Sequence, residues 1–259
     1  MNTAINTKEQ SQSRSMSSLQ SALTLFKLPI NNCRISDAVN WTTQPRHGDC
    51  RVGFFINAHS INLAAKDVQF KETLGQADTL FADGLGMRIA AWYRGQRMVD
   101  NVNGTDLFLP LCKKAESEKL SIYLLGSKPG VALQTKQNIK QMFPDLKIAG
   151  THHGYFDPED CEHIIQDINQ SQCNILLVGQ GSPLQESWLL QHKDQLNCRA
   201  ALAVGGLFDY FSNNIPRAPL WVRQIGMEWV WRLIQEPKAK WKRYLLGNPA
   251  FLMRTLINS

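Results

Sequence analysis

Ala82-Asp83-Gly84-Leu85-Gly86-Met87-Arg88 is the stretch from which the fold is read. The apolar run before it, Thr79-Leu80-Phe81, has the character of a buried strand, and Met87, Ile89, Ala90, Ala91 and Trp92 after it read as the start of a helix. Asp83 then stands at the carboxyl end of a strand, beside two glycines that let a ligand come close to the backbone. Ligands of open α/β sheets bind in that crevice, so a carboxylate there is placed to act as a general base. The alternative is that Asp83 caps the helix that follows.

Outward from this stretch the same alternation repeats. Towards the amino terminus, Leu23 to Ile30 reads as a strand, Ser36 to Thr43 as a short helix, Arg51 to Ile56 as a strand ending in Asn57, and Ile61 to Leu74 as a helix. Towards the carboxyl terminus, strands are expected at Ser121–Leu125, Leu146–Ala149, Asn174–Val178 and Ala200–Val204. Helices are expected from Asn103, over Val131–Met142, from Asp157-Pro158, and around Trp188 and Leu189. Strands alternating with helices of ten or more residues predict an α/β, Rossmann-like, largely parallel sheet with flanking helices.

The division expected is a Ser/Gln/Asn-rich flexible tail over residues 1–22, an α/β domain over 23–216, and a helical appendage over 217–259. No signal peptide or membrane-spanning run is legible. Six scattered cysteines with no C-x-x-C pair read as reduced core thiols, which points to the cytoplasm and away from a zinc site. The net charge of +6 is localised: eight Lys/Arg from Arg217 onward against Glu228 and Glu236 account for all of it. Trp221, Trp229, Trp231 and Trp241 lie in the same segment. Tryptophan beside Lys/Arg suits an anionic membrane surface; a core helix with a solvated basic face is the plainer reading. Nucleic-acid binding is disfavoured by the neutral body.

Polar or Gly-rich signals end several strands: Asn57, Asp83-Gly84, Gly126-Ser127, Gly179 through Gly181 to Glu186, and Gly205-Gly206. Backbone N–H groups at such turns bind phosphate, and their convergence on one sheet edge predicts a nucleotide or sugar-phosphate pocket. The dinucleotide fingerprint fails, because Ile89 stands where its third Gly should be, and no P-loop is present. Asp157–Asp160 reads as helix capping, His152 and His153 as loop residues that orient a ligand or are simply solvated. Gln185 offers both donor and acceptor to sugar hydroxyls.

With these segments in place the chain resembles the WecG/TagA/CpsF family of bacterial glycosyltransferases from about Phe54 to Leu246. The carrying motifs begin with Ile56-Asn57-Ala58, Ala82-Asp83-Gly84-Leu85-Gly86, Asn103-Gly104-Thr105-Asp106-Leu107, Leu124 to Gly130 and Gly154-Tyr155-Phe156. Val178 to Glu186, Arg217-Ala218-Pro219, Gly226-Met227-Glu228-Trp229 and Arg232 to Pro237 complete them in the family's order. The resemblance implies a metal-independent, inverting transferase that needs no cofactor. It would move a sugar from a UDP-sugar to a polyprenyl-diphosphate-linked saccharide, in teichoic acid, common-antigen or exopolysaccharide assembly. It places the base on Asp83 and Gln185 in the substrate pocket, and it implies an appendage at the inner face of the cytoplasmic membrane.

On this reading Asn57, Asn103, Gly126, Ser127, Tyr155, Gly179, Gly181, Gln185, Glu186, Gly205 and Gly206 bind substrate. Arg217, Arg232, Lys242 and Arg243 meet the diphosphate or the membrane. Self-association is left open, and a non-catalytic, membrane-docked binder of nucleotide sugars is the alternative from another class. Two departures stand out. Phe55 replaces a Thr that many members carry, and Lys238, Lys240 and Lys242 stand in a run often rich in Arg, where lysine lacks the bidentate fork.

Overall fold

The computed structural model describes residues 22–45 and 48–257, so the expected tail lies, but for its last residue, outside the described residues. Eight strands form one sheet: β1 (Ala22–Leu25), β2 (Leu28–Asn31), β3 (Arg51–Ile56), β4 (Thr79–Ala82), β5 (Ser121–Gly126), β6 (Lys147–His152), β7 (Ile175–Gly179) and β8 (Ala200–Ala203). Their order is β1-β2-β4-β3-β8-β7-β5-β6. Every pairing is parallel except that of β1 with β2.

The central strands are near-continuous apolar runs because both faces are covered. Alternate residues feed two cores. Phe54, Ile56, Leu80, Tyr123, Leu176 and Ala201 pack on one face against helix residues such as Ile61, Phe70, Met87, Ile164 and Leu189. Phe55, Phe81, Ile122, Leu124, Leu177 and Leu202 pack on the other, against Trp41, Leu107, Leu111, Val131 and Phe208. The helix after β3 (Ala58–Ala64) lies on the first face and the helix after β8 (Leu207–Phe211) on the second. Neighbouring parallel strands whose connections leave to opposite faces open a crevice at their carboxyl ends, the switch point where α/β sheets bind ligands.

Four local expectations need correction. Leu23–Ile30 is a hairpin rather than one strand, because Phe26 and Lys27 adopt φ of +56° and +65° and turn the chain. Ile61–Leu74 is two helices, Ala58–Ala64 and Val68–Gly75: Asp67 caps the second by accepting a bond from the Phe70 N–H at 3.0 Å. Strand β6 runs on to His152, through what reads as loop. Asp157 precedes a 3-10 turn at Pro158–Asp160, but its side chain makes no capping bond.

Residues 217–257 add no strand. They form short helices at Leu220–Gln224, Glu228–Gln235 and Pro237–Trp241, a π-helical turn at Lys242–Leu246, and a last helix, Gly247–Ile257. The helical appendage expected from the sequence is thus a series of short helices before the last one.

Candidate active site

The helix after β4 begins at Leu85, with Gly84 at φ +91° making the turn. The Asp83 side chain is therefore free of capping work. Its N–H donates to the Ile56 carbonyl at 2.8 Å, locking it to the end of β3. Its carboxylate Oδ2 accepts from Asn57 Nδ2 at 3.0 Å. Asn57 Oδ1 accepts from the N–H groups of His59 and Ser60 at 3.0 and 3.2 Å, so the N-cap of one helix fixes the amide that aims Asp83. Burial pushes the Asp83 carboxyl above the usual carboxylate range. The Asn57 hydrogen bond and the Arg243 guanidinium pull it down, and Asp106 pushes it up further. A carboxylate with raised proton affinity at a strand end is equipped to accept a proton.

On the other side of the crevice lie the ends of β5, β7 and β8. Gly126 has φ +152°, and a Cβ there would lie 2.5 Å from the Gly179 carbonyl, so β5 and β7 meet as only glycine permits. The Ser127 N–H donates to that same carbonyl at 2.8 Å. Ser127 Oγ donates to Asp209 Oδ1 at 2.6 Å, and Arg232 pairs with Asp209 Oδ2 at 3.6 Å beside Gly206. Arg232 also donates to Glu236 at 2.6 Å and lies 4.9 Å from the Tyr210 ring centroid.

Gln185 and Glu186 are buried, in the helix Leu184–His192. Gln185 Oε1 accepts from the N–H groups of Gly181 at 3.2 Å and Gly205 at 2.9 Å, pinning the loops after β7 and β8 to each other. Its Nε2 donates to Glu186 Oε1 at 2.8 Å, which also accepts from Ser182 Oγ at 2.7 Å. Desolvation holds the Glu186 carboxyl high, and its Oε2 has no hydrogen-bond partner among the described residues. Asn103 is equally committed: Oδ1 accepts from the Asp106 N–H and Nδ2 donates to Asp106 Oδ2, both at 2.7 Å. Asn103, Gln185 and Glu186 thus shape the crevice from behind rather than line it with free groups.

Asp106, which the sequence does not single out, receives both Arg217 and Arg223, the latter at 3.3 Å. Asp209 is likewise missed. Both belong to helix first turns, where an acidic residue reads as ordinary. His59 is a third: burial, then Arg243 and Lys240, lower its imidazole to about 4. Arg243 is thus close to both Asp83 and His59, and its Nε is buried without a hydrogen-bond partner, as is that of Arg217. Lys242 lies over the Trp241 ring, 5.6 Å from its centroid. Tyr155 is exposed on a cavity of about 500 Å³ that His152, His153, His163 and Asp167 also line. That cavity adjoins β6, on the far side of the sheet's carboxyl edge from Asp83. Among the described residues, no three His, Cys, Asp or Glu side chains gather as a metal site requires.

The model of the glycosyl transferase WecG/TagA/CpsF family matches residues 23–259. This chain belongs to that family. It is therefore a glycosyltransferase by descent. Among curated proteins it is similar to the N-acetylglucosaminyldiphosphoundecaprenol N-acetyl-beta-D-mannosaminyltransferase of Bacillus subtilis strain 168, 27% identical over 236 residues, 90% of each chain. The protein of the same name from Bacillus spizizenii is 30% identical over 193 residues, 74% of each.

Proposed function

We propose that the chain is an inverting, metal-independent transferase that moves an N-acetylhexosamine from a UDP-sugar to a polyprenyl-diphosphate-linked saccharide in surface-glycan assembly. The carrying observation is the Asp83 carboxylate, aimed by Asn57 and raised in proton affinity by burial. The names of the relatives, which put N-acetylmannosamine on an N-acetylglucosaminyl diphosphoundecaprenol, support the sugar and acceptor classes.

In the reaction, Asp83 takes the proton of the acceptor hydroxyl as its oxygen attacks the anomeric carbon. The bond from that carbon to the UDP oxygen breaks on the opposite face, and the electron pair leaves with UDP. Arg217, Arg232 and Arg243 meet the charge that develops. The basic 217–259 appendage docks the protein on the inner face of the membrane, where the lipid-linked acceptor lies. No helix among the described residues is long and apolar enough to span a bilayer. Asp83→Asn tests the assignment: it should abolish transfer while leaving UDP affinity, read by calorimetry, within about threefold. Near-normal turnover by that variant would place the base elsewhere.

A further inference from the structure

Residues 84–99 and 237–257 together hold eight Lys/Arg and not one Asp or Glu. Though far apart in sequence, they pack side by side. A Cβ on Gly86 would lie 3.1 Å from the Phe251 ring, so the helices Leu85–Tyr93 and Gly247–Ile257 touch where Gly86 leaves room. Phe251 in turn packs on Phe26, ring centroids 5.4 Å apart. Met87, Ala90, Ala91 and Phe251 all enter the same core on one face of the sheet. The outer sides of both helices therefore leave the molecule on that face. Trp92 is 76% exposed there with Ile89 and Tyr93, and Ile257 is 75% exposed with Met253 and Leu256.

From this we infer that the Leu85–Tyr93 helix is a second membrane-contacting element, which shares with the last helix one docking face for an anionic lipid bilayer. The inference rests on the membrane-acceptor reading above and extends it beyond the appendage. Exposed apolar side chains on two touching helices whose charges are all of one sign need a partner that accepts both, and anionic headgroups over acyl chains do. A second copy would bring like charges together, and a nucleic-acid backbone has no use for exposed Ile, Leu and Met. The helix starts beside Asp83 and carries Trp92 roughly 10 Å along its axis from Leu85, at 1.5 Å per residue. Docking through Trp92 thereby fixes the crevice relative to the lipid surface.

The test is co-sedimentation of the full chain with vesicles of equal phosphatidylglycerol and phosphatidylcholine, with UDP affinity and thermal melting as controls. Trp92→Ser and the pair Arg88→Gln with Arg97→Gln should each weaken vesicle binding by about tenfold, at unchanged UDP affinity and melting temperature. Leu252→Ser with Met253→Ser should do the same. Wild-type binding by the Trp92 and Arg88/Arg97 variants, with loss only in the Leu252/Met253 variant, would overturn the inference and leave the appendage as the membrane contact. No vesicle binding by the parent chain would overturn both. A Trp92→Ser variant that turned a dimer into a monomer at unchanged vesicle binding would make the face a self-contact.

Discussion

Gln185 shows how much one buried amide holds in this protein. Its carbonyl oxygen is the acceptor for the N–H groups of Gly181 and Gly205, on two different strand-end loops. Gln185→Ala leaves both donors unmatched and should lower unfolding free energy by about 2 kcal/mol in urea titrations. It should also weaken UDP binding, since the loops lose their link; a variant as stable as the parent would deny the pinning role. His59 gives the pH dependence. Burial, then Arg243 and Lys240, hold its folded value near 4, against 6.5 unperturbed. As pH falls below 6.5 the unfolded chain takes up a proton that the folded chain refuses, so stability present at pH 7 is lost down to about pH 4. His59→Gln removes that component, and its urea midpoint should fall less than the parent's between pH 7 and 5. An equal fall in both would contradict the shift. The positions of Asp83 and Gln185 beside strand-end glycines were legible in the sequence, but that Gln185 spends its amide on Gly181, Gly205 and Glu186 was not. Asp106 and Asp209 were not, because their significance lies in arginines more than twenty or a hundred residues away.

At the scale of elements, the strands carry the most readable signal, and β3 matches the sequence expectation end to end. Buried parallel strands are continuous apolar runs, which local sequence displays directly. What local sequence hides is where one element breaks into two. The Phe26-Lys27 turn lacks glycine, proline or asparagine, and the Asp67 cap sits inside an apolar periodicity that runs on past it. Phe55, which stands in place of a threonine, enters the second core and packs on Phe81 at 5.5 Å between ring centroids. The hydroxyl is thus exchanged for core packing. The β5–β7 junction is the least forgiving element contact. Gly126→Ala sets a methyl 2.5 Å from the Gly179 carbonyl. It should destabilise by about 3 kcal/mol, through strain and overpacking, in thermal or urea unfolding. A loss below 1 kcal/mol, roughly the effect of an ordinary surface change, would mean that the junction gives way easily.

Across the whole molecule, residues 217–257 tie the two faces of the sheet together over its carboxyl edge. Arg217 and Arg223 anchor on Asp106 and Arg232 on Asp209, both on the second face. The far end is held on the first face: Asn62 donates to the Gly247 carbonyl at 2.7 Å and accepts from Arg254 at 3.2 Å, and Phe251 enters the core. Between these anchors Arg243 comes close to Asp83. Charge counting alone put basic residues in this segment; only the fold says that they arch over the crevice. Asp106→Ala releases two arginines at once, so limited trypsin digestion should cut at Arg217 and Arg223 faster than in the parent, at a cost of about 1–2 kcal/mol in stability. Unchanged cleavage would mean that the segment is held elsewhere. The most direct measurement is UDP release by purified protein in EDTA, with UDP-N-acetylhexosamines as donors and a lipid-diphosphate-linked N-acetylglucosamine as acceptor. The account predicts acceptor-dependent release by the parent chain and none by Asp83→Asn. No release by a parent chain that binds UDP, or equal release by both proteins, would contradict it.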